Sequence, residues 1–363
     1  MTKAKGWVVV GILLWTGFLG FSKLQAAGLK PVILGYYPSW DTGIGPSQIN
    51  YKLFTHLCHA FINADKDGNL KMESKGNMPS ADLTTRAHQA GVKVLLSLGG
   101  EDSGKVFNPM GKNPKAVEKF VDAVIDVLVK YHYDGVDVDW EFPENDQDKK
   151  NLTALAALFR QKLDQKVPGS LVTMAVPAGD WAGKWYDAQA LLPLADFVNV
   201  MTYDFHGPWG TSGHNASLYH DSKDKTDESM SVVQAMDYWT QEKKWPTTKL
   251  LVGLPCYGHG FAGKWYETPK QKSKYGEMAY KDILPLIQQG WTRHWDSGAS
   301  VPYLTSPKGD EFLSYEDEQS AKAKGSWAKK HRFRGIFFWE ITEDVVQQEE
   351  ILVKTARKAF LGK

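Results

Sequence analysis

The sequence predicts an α/β protein, an eight-stranded parallel (β/α)8 barrel with a small α+β insertion between its seventh strand and the helix that follows. Three observations predict it. Eight short runs rich in β-branched and aromatic residues are spread along the chain. Most are separated by longer amphipathic stretches of crossover size, as parallel pairing requires. The length, 363 residues, suits one such barrel with an insertion and a leader.

Taken in order, residues 1–27 differ in kind from the rest. Lys3 and Lys5 precede an apolar run from Trp7 to Phe21, short for a membrane span, followed by Ser22, Gln25, Ala26 and Ala27. This reads as a secretory signal peptide, and the expected localisation is secreted, extracellular or periplasmic. A retained N-terminal anchor is the alternative, and contact with a membrane is expected only in that case.

Residues 28–363 are expected to form the barrel domain. Strands are predicted at 32–37, 53–63, 93–98, 135–141, 171–178, 197–203, 250–257 and 335–339. Two of the intervening helices are plain from their spacing. In 116–131, Val117, Phe120, Val121, Val124 and Leu128 fall on one side; in 147–165, Leu152, Leu155, Leu158, Phe159 and Leu163 do the same. The spacing breaks once, over residues 258–312, which are too long for a loop and helix and are read as the insertion walling one side of a cleft. In a barrel of this kind functional residues gather at the C-terminal strand ends, where Glu141, Tyr203 and Trp339 fall.

Composition narrows the function classes. The chain is 42% hydrophobic and 23% charged with a net charge of +1, which argues against a general nucleic-acid binder. Its two cysteines, Cys58 and Cys256, lie in apolar strand-like runs and read as buried free thiols. His56 and His59 are three apart on a strand and point to opposite faces, poor geometry for a metal. No phosphate-cradling loop or dinucleotide fingerprint accompanies the glycines. No metal and no organic cofactor are expected. Fourteen tryptophans, several in predicted loops of an exported chain, hint at flat apolar surfaces of the kind sugars stack on.

The stretch Tyr133–Pro143 carries the chemistry. Acidic and apolar residues alternate in it, so Asp137, Asp139 and Glu141 share one strand face while Val136, Val138 and Trp140 share the other. Three carboxyl groups in a row, about 7 Å per step along the backbone, cannot all ionise comfortably. At least one should hold a proton at neutral pH, which is how a proton donor is built to work near neutrality. A solvated acidic strand or a divalent-cation site is the alternative reading.

These residues resemble a known family. Asp134-Gly135-Val136-Asp137-Val138-Asp139-Trp140-Glu141 matches the DxxDxDxE signature of glycoside hydrolase family 18, the chitinases and their relatives. Ser97-Leu98-Gly99-Gly100 resembles the SxGG motif of the third strand. Met201 to Gly207, with Trp209 and Gly213-His214-Asn215, resembles the sixth-strand motif and its loop, and Gly335 to Trp339 that of the eighth. Gly35-Tyr36-Tyr37 and His59-Ala60-Phe61 fit the first two strands. The match runs from about Val32 to Trp339.

The resemblance implies a (β/α)8 TIM-barrel chitinase hydrolysing β-1,4-linked N-acetylglucosamine polymers, with chitin or chito-oligosaccharides as partner and no obligate protein partner. It also implies a retaining mechanism in which the sugar's own acetamido oxygen attacks the anomeric carbon. Glu141 becomes the acid and then the base. Asp139 turns between Asp137 and the acetamido N–H, Asp137 shares a proton in the row, and Tyr203 holds the acetamido oxygen. Asp204 contacts the distorted sugar and Trp339 forms its floor. Trp40 and Trp209 match sugar-stacking positions, and Tyr257 reaches the central sugar. Tyr36, Phe61, Gly99, Gly100 and Met201 complete the expected binding set. Two departures stand out: Glu101 and His259 occupy positions where many chitinases carry Trp and Arg. Rival readings are a hydrolase of glycoprotein glycans or peptidoglycan using the same mechanism, and a chitin-binding lectin on the same barrel.

Overall fold

Eight strands close on themselves in the computed structural model, which describes residues 28–362 apart from 41–42, 73–75, 227–228 and 268–272. The expected leader, residues 1–27, lies outside the described residues. The barrel strands are β1 (Val32–Pro38), β2 (His56–Ala64), β3 (Lys93–Gly100), β4 (Gly135–Trp140), β5 (Leu171–Val176), β6 (Phe197–Val200), β7 (Leu250–Pro255) and β8 (Gly335–Trp339). Each pairs in parallel with the next, and β8 pairs with β1 to close the ring.

Side-chain alternation sorts the core into two layers. Val32, Leu34 and Tyr36 of β1 point inward with Cys58, Leu95, Phe197, Leu251 and Phe337, filling the barrel. Ile33 and Tyr37 point outward, as do Val136, Val138 and Trp140 of β4, to meet the helices. The helix Pro114–Tyr131 starts where Asn113 accepts hydrogen bonds from Lys115 N and Ala116 N, with proline in its first turn. Its face of Phe120, Val121, Val124 and Leu128 is buried, like Leu152, Leu155, Phe159 and Leu163 of the helix Asp146–Lys166. Full burial of each such side chain contributes roughly 1.5–3 kcal/mol. Both thiols, Cys58 and Cys256, are buried and free.

Three strand boundaries differ from the sequence reading. Tyr51–Leu53 forms a 3₁₀ turn, so β2 begins only at His56. The sixth strand stops at Val200, because Thr202 N turns back onto Val200 O at 2.8 Å while its hydroxyl donates to Gly253 O of β7 at 2.7 Å. The seventh stops at Pro255, which has no N–H with which to extend the ladder. Tyr257 therefore opens a new strand. From there to Ser314 the chain builds a five-stranded antiparallel sheet, in the order Glu277–Ala279, Tyr257–Ala262, Glu311–Ser314, Val301–Thr305, Thr292–Asp296, with the helix Tyr280–Gln288.

Candidate active site

At the C-terminal end of β4 the three carboxyl groups meet three different environments. Asp137 is fully buried at the barrel axis. Its Oδ2 accepts from Tyr36 Oη of β1 at 2.8 Å and Ser97 Oγ of β3 at 2.9 Å. Its Oδ1 accepts from Thr173 Oγ1 of β5 at 2.6 Å and Asn199 Nδ2 of β6 at 3.2 Å. Burial raises its pKa and these donors pull it back. With both oxygens engaged by neutral donors, Asp137 is an anchor for the strand ends.

Asp139, also buried, is held well above the carboxylate range by burial and then by the charges of Glu141 and Asp137. It hydrogen-bonds the Glu141 carboxyl, while its Oδ1 is buried without a partner. Glu141 sits one residue beyond β4. Its backbone is clamped: Glu141 N donates to Ser103 Oγ at 2.9 Å, and Glu141 O accepts from Gly104 N at 2.8 Å. Its carboxyl is pushed up to about 7, first by burial and next by the charge of Asp204. A glutamic acid protonated at neutral pH, with a buried free acceptor beside it, can donate a proton and orient an N–H at one locus.

The paired glycines make this packing feasible. Gly99 has φ +117° and a Cβ there would lie 2.1 Å from Asp139 O; a Cβ on Gly100, at φ +87°, would lie 2.4 Å from the Phe61 ring. Phe61 in turn stacks on Trp339 at 5.5 Å and on Trp40 at 5.7 Å, and Tyr36 meets Trp339 edge-on at 5.3 Å. Tyr203, buried, packs edge-on against Phe337 at 6.0 Å and Tyr257 at 6.2 Å, with Met201 in the same inner cluster. Trp40 is 47% exposed, and Trp181 and Trp209 are both 63% exposed. Trp181 rests edge-on against Phe142 at 4.9 Å, and Trp209 against His259 at 5.3 Å.

Asp204 adopts φ +59°, and its N donates to Asn215 Oδ1 at 2.8 Å. Its Oδ1 accepts from Tyr257 Oη at 2.7 Å and His259 Nε2 at 2.8 Å. Ser97, Thr173, Asn199, Ser103 and Asn215 were not among the expected site residues, although Ser97 and Asn215 stand inside the motifs quoted for the resemblance. Thr173 and Asn199 gave only one signal: a polar side chain inside an otherwise apolar strand.

Away from this site, His214, Asp221 and Asp296 bring ligand-type atoms within 4.8 Å of one another. His214 Nε2 and Lys223 Nζ already lie 3.6 and 3.5 Å from Asp296 Oδ2, and Tyr266 Oη donates to Asp221 at 2.5 Å. The cluster balances its own charge and ties the loop after β6 to the insertion. His59 bonds Tyr133 Oη and Asn77, a structural role.

Comparison with known proteins agrees with this geometry. The sequence profile of "Glycosyl hydrolases family 18" matches residues 32–344. The chain is 29% identical over 329 residues to a "Probable endochitinase" of Caenorhabditis elegans, covering 82% of this chain and 53% of that protein, so it spans about half the length of that relative. It is 31% identical to a class V chitinase of Medicago truncatula, with 85% of each covered. Among solved structures, catalytic domain 2 of the Ostrinia furnacalis group II chitinase, a mutant in complex with penta-N-acetylchitooctaose (NAG)5, superposes with a TM-score of 0.81. That pair is 28% identical, over 92% of this chain and 97% of that one.

Proposed function

We propose, for a chain that belongs to family 18 of the glycosyl hydrolases, the hydrolysis of β-1,4 bonds between N-acetylglucosamine units with retention at the anomeric carbon. The observation that carries the proposal is the pairing of Glu141, its carboxyl pushed up to about 7, with the buried and unpartnered Oδ1 of Asp139. Glu141 donates its proton to the bridging oxygen as the glycosidic C–O bond breaks, while the acetamido oxygen of the same sugar bonds to the anomeric carbon. Asp139 Oδ1 accepts the acetamido N–H and steadies the positive charge of the resulting oxazolinium. Glu141, now a carboxylate, takes a proton from water, which attacks the anomeric carbon and reopens the ring. A nucleophile supplied by the substrate makes a second nucleophilic carboxylate unnecessary. Holding it against the carbon is a proximity effect of several kcal/mol as an order of magnitude.

Tyr203 holds the acetamido oxygen, Asp204 contacts the distorted sugar, and Trp339 lies beneath it. Trp40, Trp181 and Trp209 offer exposed faces on which further sugars stack. The ligand in the Ostrinia furnacalis structure, an N-acetylglucosamine oligomer, supports this substrate class. The leader-like residues 1–27 support export.

The experiment is product analysis on a series of chito-oligosaccharides, with the anomer ratio recorded before mutarotation. The β-anomer is expected first, and fresh product of inverted configuration would overturn the mechanism. The pH dependence follows from Glu141. The acid must start protonated, so kcat/KM is expected to hold below pH 7 and to fall about tenfold per pH unit above it. An activity that stays flat to pH 9 would remove Glu141 from the acid role.

A further inference from the structure

His259 is completely buried in the strand Tyr257–Ala262 of the insertion sheet. Its Nε2 donates to Asp204 Oδ1, the oxygen that Tyr257 Oη also reaches, so Asp204 keeps Oδ2 for the cleft. The other ring nitrogen, Nδ1, is buried and without a partner. Glu277 lies directly opposite His259 in the antiparallel ladder. Directly opposite residues project to the same face with Cβ atoms about 4.5–5.5 Å apart. The carboxylate of Glu277 therefore stands beside the imidazole, and the two interact electrostatically. On the other side of the strand, the residue opposite His259 is Ser314, which is uncharged. The edge of Trp209 and the ring of Tyr257 complete the surroundings. Beyond them, Glu101 also acts on Glu277, while Asp204 and Glu101 both act on Glu141.

We propose that Glu277, His259 and Asp204 form a carboxylate–imidazolium–carboxylate line in the cleft wall, in which His259 is a positioning residue. It fixes which oxygen Asp204 shows to the substrate, and its positive charge limits how much of the Asp204 charge reaches Glu141. Glu277 acts through His259, by favouring the proton on the imidazole. The inference rests on the reading of Glu141 as acid and base. It goes further by making the basic limb of activity a property of the insertion as well as of the barrel.

The sign of each change separates this from simple through-space electrostatics. A neutral donor at 259 leaves the Asp204 charge unopposed, which raises the Glu141 pKa. In pH profiles of kcat/KM on a chito-oligosaccharide, His259→Gln is expected to move the basic limb up by about one pH unit. It is also expected to raise KM more than it lowers kcat. Glu277→Gln is expected to move the limb upward too, by less, because it weakens the imidazolium. Direct removal of a negative charge would move the limb down instead. In His259→Arg, whose charge is permanent, a second Glu277→Gln change is expected to leave the limb unmoved or to lower it. A His259→Gln limb identical to wild type, or a downward shift in Glu277→Gln alone, would overturn the proposal. Those outcomes are distinct from failure of the underlying reading, which would show as retained turnover in Glu141→Gln.

Discussion

Glutamine at position 141 lowers turnover of chito-oligosaccharides by roughly 10³–10⁴-fold while binding stays near the wild-type level. The amide keeps the shape of the side chain and the Ser103 and Gly104 contacts to the backbone, but it has no proton to give to the bridging oxygen. Single-turnover kinetics beside calorimetric binding of a chito-oligosaccharide checks both halves, and near-normal turnover would refute the assignment. The same variant has a second signature. An acid whose folded pKa is raised binds its proton more tightly in the native state than in the unfolded chain. At pH 4 both states are largely protonated and nothing is lost. As pH rises from the ordinary carboxyl range to about 7 the unfolded chain ionises first and stability falls, by about 2–3 kcal/mol in total. Glu141→Gln is therefore expected to unfold at higher temperature than wild type at pH 8 and at a similar temperature at pH 4.

Asparagine at position 139 is the second large effect, a loss of roughly 10²–10³-fold in kcat on N-acetylated oligosaccharides. The buried Oδ1 has no partner in the protein, and the proposed one is the acetamido N–H. In Asp139→Asn the carbonyl can still accept, but the carboxylate charge that would oppose a developing oxazolinium is gone. A variant retaining full rate on an N-acetylated substrate would end the orienting role.

Much of this site was legible in the sequence because a strand alternates with period two. That period alone put Asp137, Asp139 and Glu141 on one face and Val136, Val138 and Trp140 on the other, and the two core layers follow it. The barrel was legible from the same kind of pattern repeated eight times. What escaped depends on register between strands far apart in sequence. Nothing local says that Thr173, level with Asp137 across the β4–β5 ladder, and Asn199 converge on one carboxylate. Strand ends were misjudged where apolar character outlasts pairing: Met201–Tyr203 remains apolar after Thr202 has turned the chain toward β7. Tyr257 looked like the end of the seventh strand and instead starts the insertion, which is how His259 and Glu277 come to face Asp204.

Asp137 gathers donors from four barrel strands onto two oxygens, and this makes the cost of losing function lopsided. Deleting the proton of Glu141 relieves the fold of a reluctant charge. Deleting the Asp137 carboxylate strands four sequestered donors, each at a cost of about 1–3 kcal/mol. A descendant of this chain that ceased to cut sugar polymers could shed its acid and emerge sturdier. It would still have to keep the aspartate two strand positions earlier, a relic maintained by cohesion after the chemistry had gone.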